Sequence, residues 1–568
     1  MKRFVHIIII SLILLAWCSH NATAQGVLTD GSTYIGAIAV TNQVDTWTFT
    51  ATNGDSVVLR AGTLTSTNNF ETWLRVYGPG GTLLGSTDPG SILAAEVTFR
   101  ATNSGTFTVT VADGENYNYN YEGTGTYQLS YVKTPGTLMV SPGEEGGPLT
   151  NGTLNAGTIT VGDIQAWSFT ATNGDSVVLR AGMLSQTKGN FQPMLRVYGP
   201  DGMLQASNDP GTIAASEATF RATNSGTFTV LVADGINYNG DIGNAGTYQL
   251  SYIKAPGTLV VSPGEEGGPL TNGTLNAGTI TVGDIQAWNF TATNGDSVVL
   301  RAGMLSQTKG NFQPWLRVYG PDGTLLGSVD PGSSAVAEVA LRATNSGTFT
   351  VLVADGINYN GDIGNAGMYQ LSYIKAPGAY VISVGEEGGS LGSGVNPEGQ
   401  INIGDLNVYT FTICSGEFIS LSLNRLVNNG GFDPWLRLYG PNGSLLGSAA
   451  NTTSAQINVI ATNSGAFTIV ISDGSSTLSG TGTYQLISNG LSDGFKTCSP
   501  DITGANFNVA GVGGPVGTNA ILFTTTNIAN PTLWTPVWTN PFDQFGVFEY
   551  TNTFNPTEPK RFYRLSHP

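Results

Sequence analysis

The chain has 568 residues, only 11% of them charged, with 77 glycines and a formal net charge of −17. So acidic a chain, with no basic cluster, is repelled by phosphate backbones, and nucleic acid is not expected as a partner. Its three histidines are His6, His20 and His567. That leaves almost no imidazole for a nucleophile-histidine relay or a histidine-cysteine zinc site.

At the N-terminus, Lys2 and Arg3 precede an apolar run from Val5 to Trp17, and Ala22-Thr23-Ala24 follows as a small-residue cleavage site. This is the pattern of a secretory signal over residues 1–24, with a mature start at Gln25. Cys18 invites a lipoprotein reading, but the bulky Trp17 before it argues against one. Secretion is expected, to the medium or the cell surface. No later apolar run approaches the length of a membrane span. The mature chain keeps Cys414 and Cys498, an even pair expected to form a disulfide in an exported protein.

Beyond the signal the chain repeats itself. Gly162-Asp163-Ile164-Gln165-Ala166-Trp167 runs into SFTATNGDSVVLRAG and returns from Gly283 to Gly303 with one change, Ser168 to Asn289. Related runs occupy Val44 to Gly62 and, more divergent, begin at Gly404. Trp47, Trp167, Trp288 and Tyr409 therefore recur about every 120 residues, long enough for each unit to bury its own core. Inside a unit the apolar period is two: Trp167, Phe169 and Ala171 alternate with Ser168 and Thr170, as do Leu195 and Val197 with Arg196 and Tyr198. Turn signals such as Asn173-Gly174-Asp175 and Gly199-Pro200-Asp201-Gly202 separate the runs. The expected fold is all-β: antiparallel, jelly-roll-like β-sandwiches strung as beads.

Four repeats are placed at residues 25–137, 138–257, 258–378 and 379–490. The connectors TPGTLMVSPGEEGGPLTNG (from Thr134), its relative from Ala255 and a third from Ala376 join them; their Val/Leu-rich middle is a candidate edge strand. From 491 to 568 the pattern becomes aromatic-rich with prolines bounding each run, the mark of a small, separate C-terminal β module.

The motifs GDIQAWSF (from Gly162), NGDSVVL (from Asn173), LRVYGPDG (from Leu195), NSGTFTVLV (from Asn224) and GTYQLSY (from Gly246) together resemble the bacterial pre-peptidase C-terminal domain in all four units. The tail resembles β modules that close many secreted bacterial proteins. The first resemblance implies a non-catalytic sandwich of exported proteins, some of which bind calcium and some extracellular polymers such as collagen. One departure stands out: the family's opening Asp-x-Asp is Asp163-Ile164-Gln165 here.

Candidate sites are few. Oxygen side chains spaced by glycine suit a hard cation, so Asp234, Asn237, Asn239, Asp241 and Asn244, with Asp355, Asn358, Asn360, Asp362 and Asn365, form candidate calcium loops. The competing reading is a solvated turn, because Asp and Asn favour turns unaided and the first and fourth copies lack most of these residues. Tyr117, Tyr119, Tyr121, Tyr238 and Tyr359 lie in the same polar loops and are candidates for touching glycan. Trp73, Met194, Trp315 and Trp435 share one position, and the methionine marks it as a packing site. Glu144-Glu145, Glu265-Glu266 and Glu386-Glu387 are the only obvious acid pairs for a glycosidase, yet they sit in connectors. The arginines at 60, 180 and 301, and at 75, 196, 317 and 437, are read as pairing with acids on an outer sheet face.

The chain is thus expected to be no enzyme: a secreted array binding a polysaccharide, matrix or cell-surface polymer. A spacer that presents the tail is the alternative, and a carbohydrate-active enzyme a distant third.

Overall fold

A computed structural model describes residues 22–568, except 89, 91, 115–120, 237–240, 358–360, 393, 492–493, 504–505, 530, 554–556, 558–560 and 567–568. The described residues contain no α-helix, and their one helical turn is the 3-10 segment Pro531–Leu533. None is part of a helix long and apolar enough to cross a membrane.

The first repeat shows the plan. Its strands are β1 (Ala22–Val27), β2 (Ser32–Ile38), β3 (Val44–Ala51), β4 (Ser56–Thr67), β5 (Thr72–Tyr77), β6 (Leu83–Thr87), β7 (Ala94–Arg100), β8 (Gly105–Asp113) and β9 (Thr124–Thr134). They form a five-stranded sheet in the order β1-β3-β8-β5-β6 and a four-stranded sheet in the order β2-β9-β4-β7. The same two orders recur in the three later repeats. Period-two patterning explains the core: Trp47, Phe49, Leu59, Leu74, Val76, Phe107, Val109 and Leu129 point between the sheets and are buried together. The recurrent tryptophan is polar as well as large. Trp47 Nε1 donates to the Tyr127 hydroxyl at 2.9 Å, which donates to Asp45 Oδ2 at 2.8 Å. Trp167, Tyr248 and Gln165 repeat that relay in the second repeat, at 2.9 and 2.5 Å. The buried indole N–H and the tyrosine hydroxyl of each relay are thereby matched.

Two compact units arise, Met1–Ser262 with Thr281–Ile285 and Gly361–Asn365, and Pro263–Ile280 with Gln286–Asn360 and Ala366–Pro568. The first holds the sheet pairs of repeats 1 and 2. The second holds most of repeat 3, repeat 4 and the tail.

The connectors behave differently from expectation. Their Val/Leu-rich middle forms no strand; instead Gly147–Pro148 lies along the next repeat's sheet edge, parallel to Trp167-Ser168. Glycine permits this: a Cβ on Gly146 would meet the Ala166 carbonyl oxygen at 2.5 Å, and Gly147 sits at φ 96°. Leu138, from the middle, packs between repeats 1 and 2. In repeat 1 the equivalent pairing is Gly26 with Trp47 and Val27 with Thr48, downstream of the expected cleavage after Ala24.

The tail is a β module of two small sheets, around Asn506–Val512 and Asn519–Thr525. Its core of Val509, Ala520, Leu522, Phe542 and Phe548 is its own. Cys414 and Cys498 are joined by a disulfide, S–S 2.07 Å, beside a small cluster that includes Ala466, Val512 and Val547.

Candidate functional site

The strand-end loops open from an aspartate that closes the same strand in each repeat. Asp234 is buried, and its carboxylate accepts the Gln192 N–H at 3.1 Å, the Asn244 N–H at 2.8 Å and Asn244 Nδ2 at 2.9 Å. Burial raises its pKa to about 6 against the pull of those donors. Asp113 accepts from the Glu71 and Gly123 N–H groups, and Asp473 from those of Asp433 and Gly480. The aspartate therefore braces two backbone segments in repeats whose loops are otherwise unlike, as a carboxylate rich in N–H donors does. Asp355 accepts from the Gln313 N–H at 3.3 Å. Asp241 and Asp362 each accept from a glycine two residues on, at 2.8 and 2.7 Å, while Asn244 and Asn365 are buried. Asn237, Asn239, Asn358 and Asn360 lie outside the described residues. Among the described residues no cluster of three or more His, Cys, Asp or Glu side chains is placed to hold a metal. The described part of the second repeat's loop is a turn braced on Asp234.

Of the loop tyrosines, Tyr117, Tyr119, Tyr238 and Tyr359 also lie outside the described residues. Tyr121 stacks on Trp73, ring centroids 6.2 Å apart. Trp73 in turn donates Nε1 to Ser86 Oγ at 2.9 Å and carries the Arg75 guanidinium 3.9 Å above its ring. Trp435 and Arg437 repeat this pair at 4.1 Å. Met194, at the same position, is buried.

The connector acids are placed against the next repeat's opening strand. Glu145 Oε2 accepts Gln165 Nε2 at 2.7 Å and the Thr158 N–H at 3.3 Å. Burial and then Glu145 push the Glu144 carboxyl up. Asp163 is 1% exposed, and burial followed by the nearby Glu144 raises its pKa to about 8.

Arg60, Arg180 and Arg301 pair with acids on the outward sheet face, Glu96, Glu217 and Glu338, as expected, but these arginines are buried rather than open to solvent. Arg60 is 1% exposed, although it points away from its own core, because repeat 2 covers that face. Its Nε and Nη2 donate to Glu96 Oε2 at 2.9 and 2.6 Å, and its Nη1 to the carbonyl of Asp234 in repeat 2 at 2.8 Å. Arg196 of repeat 2 donates Nη1 to the other oxygen of Glu96 at 2.6 Å. One carboxylate thus holds two guanidinium groups across the junction. Burial alone would raise the Glu96 pKa; Arg60 and Arg196 outweigh it and hold it at about 2.

Around this triad the four-stranded sheet of repeat 1 offers Val58 and Val132, which pack with Ile164, Ala166, Met194, Tyr198, Leu231 and Ala233 of repeat 2. Ser56 Oγ donates to the Gly202 carbonyl at 2.6 Å. Gly62 and Gly162 bring the backbones together, a Cβ on Gly62 falling 2.4 Å from Gly162 N. Repeats 3 and 4 join in the same manner through Arg301, Glu338 and Arg437, with Arg301 Nη2 donating to the Asp473 carbonyl at 2.9 Å and Ser297 Oγ to that of Gly443 at 2.6 Å.

The family model of the bacterial pre-peptidase C-terminal domain matches residues 43–113. No curated protein matches the chain. Among solved structures, the pre-peptidase C-terminal domain of a collagenase from Bacillus anthracis is 24% identical, covering 18% of this chain and 96% of its own, with a TM-score of 0.16. The CUB1-EGF-CUB2 domains of rat MASP-1 are 11% identical, covering 40% and 99%, with a TM-score of 0.13. The match over residues 43–113 falls within the first repeat, and the three units that follow repeat its motifs and its sheet order.

Proposed function

We propose that this is a secreted, non-catalytic array that holds an extracellular polysaccharide, matrix or cell-surface polymer through its repeated sandwiches. The observation that carries this reading is repetition with a fixed presentation. Each repeat ends its β8-type strand on an aspartate, Asp113, Asp234, Asp355 and Asp473, at the start of a polar connecting sequence. Weak contacts at several such loops add through linkage rather than through any one strong site. A second reading, a spacer that presents the tail, draws on the sealed junction at Arg60, Glu96 and Arg196, which stiffens repeats 1 and 2 against each other. Co-sedimentation of the chain with insoluble polysaccharides and matrix proteins separates the two. Retention on one polymer class supports the array; no retention on any leaves the spacer. Release of reducing sugar from the same polymers would contradict both.

A further inference from the structure

Repeats 1 to 4 differ in how their outer faces are built. In repeats 2 and 4 the outer face of the five-stranded sheet is covered: Ala166, Met194, Tyr198 and Leu231 are buried in one, Val408, Arg437, Tyr439 and Val470 in the other. The same face of repeat 1 carries Thr46, Trp73, Arg75, Tyr77 and Thr110, all half-exposed. It keeps the docking apparatus. Arg75 lies over Trp73 as Arg437 lies over Trp435, and Arg437 in that pose holds Glu338 at 2.7 Å. Asp113 ends its strand where Asp234 and Asp473 offer carbonyls to an incoming arginine. No acid pairs with Arg75 among the described residues.

We propose that this face of repeat 1 docks a β-sheet of another polypeptide, one that presents an arginine-paired glutamate flanked by small apolar side chains. The chemistry follows from the two covered junctions, where such a pair from the four-stranded sheet meets this socket. Thr46 and Thr110 in place of Ala166 and Leu231 keep the face soluble while it is uncovered. A second copy of this chain is not the occupant. Arg60, Arg180 and Arg301 are already buried, and repeat 4 replaces Val58, Arg60, Glu96 and Val132 with Ser420, Ser422, Gln456 and Asn489, a polar cap.

That cap supplies the test. A donor chain carrying Ser420→Val, Ser422→Arg, Gln456→Glu and Asn489→Val gains a docking face, and Arg75→Glu in the same chain blocks its own socket. Mixed with the wild-type chain, it is expected to give a one-to-one complex in sedimentation velocity. Replacing the wild-type partner with an Arg75→Gln chain should weaken that complex about thirtyfold or more, since a buried carboxylate loses its charge partner. Should the fourfold donor aggregate, the double variant Ser422→Arg, Gln456→Glu installs the pair alone. Absence of a complex at about 100 μM with a folded donor, where even modest interfaces associate, overturns the proposal. So does a complex indifferent to Arg75, as does a face that retains polysaccharide while taking no donor.

Discussion

Replacing Glu96 with glutamine tests the junction of repeats 1 and 2 at its most exacting point. The amide keeps the volume but removes the one negative charge between Arg60 and Arg196, with Arg60 almost wholly buried. Breaking a buried pair by neutralising one partner typically costs about 3–5 kcal/mol, because the remaining charge stays desolvated. The depressed acidity gives an independent figure: lowering the carboxyl from an ordinary 4.5 to about 2 is worth about 3 kcal/mol. The repeats provide an internal control in Arg301, Glu338 and Arg437. Hydrogen exchange on the Glu96→Gln chain should therefore accelerate about a hundredfold in the slow amides of Ser56–Thr67 and Ala94–Arg100. The equivalent Ser297–Lys309 and Val336–Arg342 should be unchanged. The stability carried by Glu96 is fully present above its ordinary 4.5 and is lost as pH falls towards about 2, so wild type and variant should converge there. Equal exchange in both chains at neutral pH, or a change spread over both pairs of segments, would refute the argument.

Three further outcomes follow from the same junctions and loops. Gly62→Ala places a methyl 2.4 Å from the Gly162 backbone, which cannot move aside, and should cost the first pair of repeats about 1–3 kcal/mol in denaturant unfolding. Gly80→Ala, with nothing within 4 Å, should not. Asp163 holds its proton in the folded state, so its contribution is present below an ordinary 3.8 and is lost as pH rises through about 8. Asp163→Asn should accordingly raise the melting midpoint near pH 9 and leave it nearly unchanged near pH 3, and an equal shift at both would count against the burial argument. Chelator should leave the midpoint of the wild-type chain where it was, because Asp234 already spends its oxygens on N–H donors; a fall would restore the calcium reading.

The sandwich was legible in the sequence because its cause is local: Trp47, Phe49 and Ala51 alternate with threonines, and turns interrupt every run. The tyrosine relay and the braced aspartates were half legible, since their motifs recur without naming their partners. The pairing of the arginines with acids was legible, but its burial was not. Alternation puts Arg60 on the outward face, and an outward arginine in a single domain meets water. What covers it lies 100 residues from Glu96, on Arg196. A signal was nonetheless available: Val58 and Val132 put apolar groups on that same outward face, and arginine and glutamate vanish together in repeat 4 as Ser422 and Gln456. The connector strand was missed for a different reason. β-propensity favours Val and Leu, whereas close backbone approach at the sheet edge demanded the glycines.

Array binding is tested most directly by competition on a polymer that retains the chain. Soluble fragments of that polymer, matched by mass and graded by length, are used to displace it. Linked sites predict that long fragments displace the chain at least about tenfold more effectively than short ones, because only they span several loops. Displacement that depends on mass alone would mean a single site, and would contradict the account.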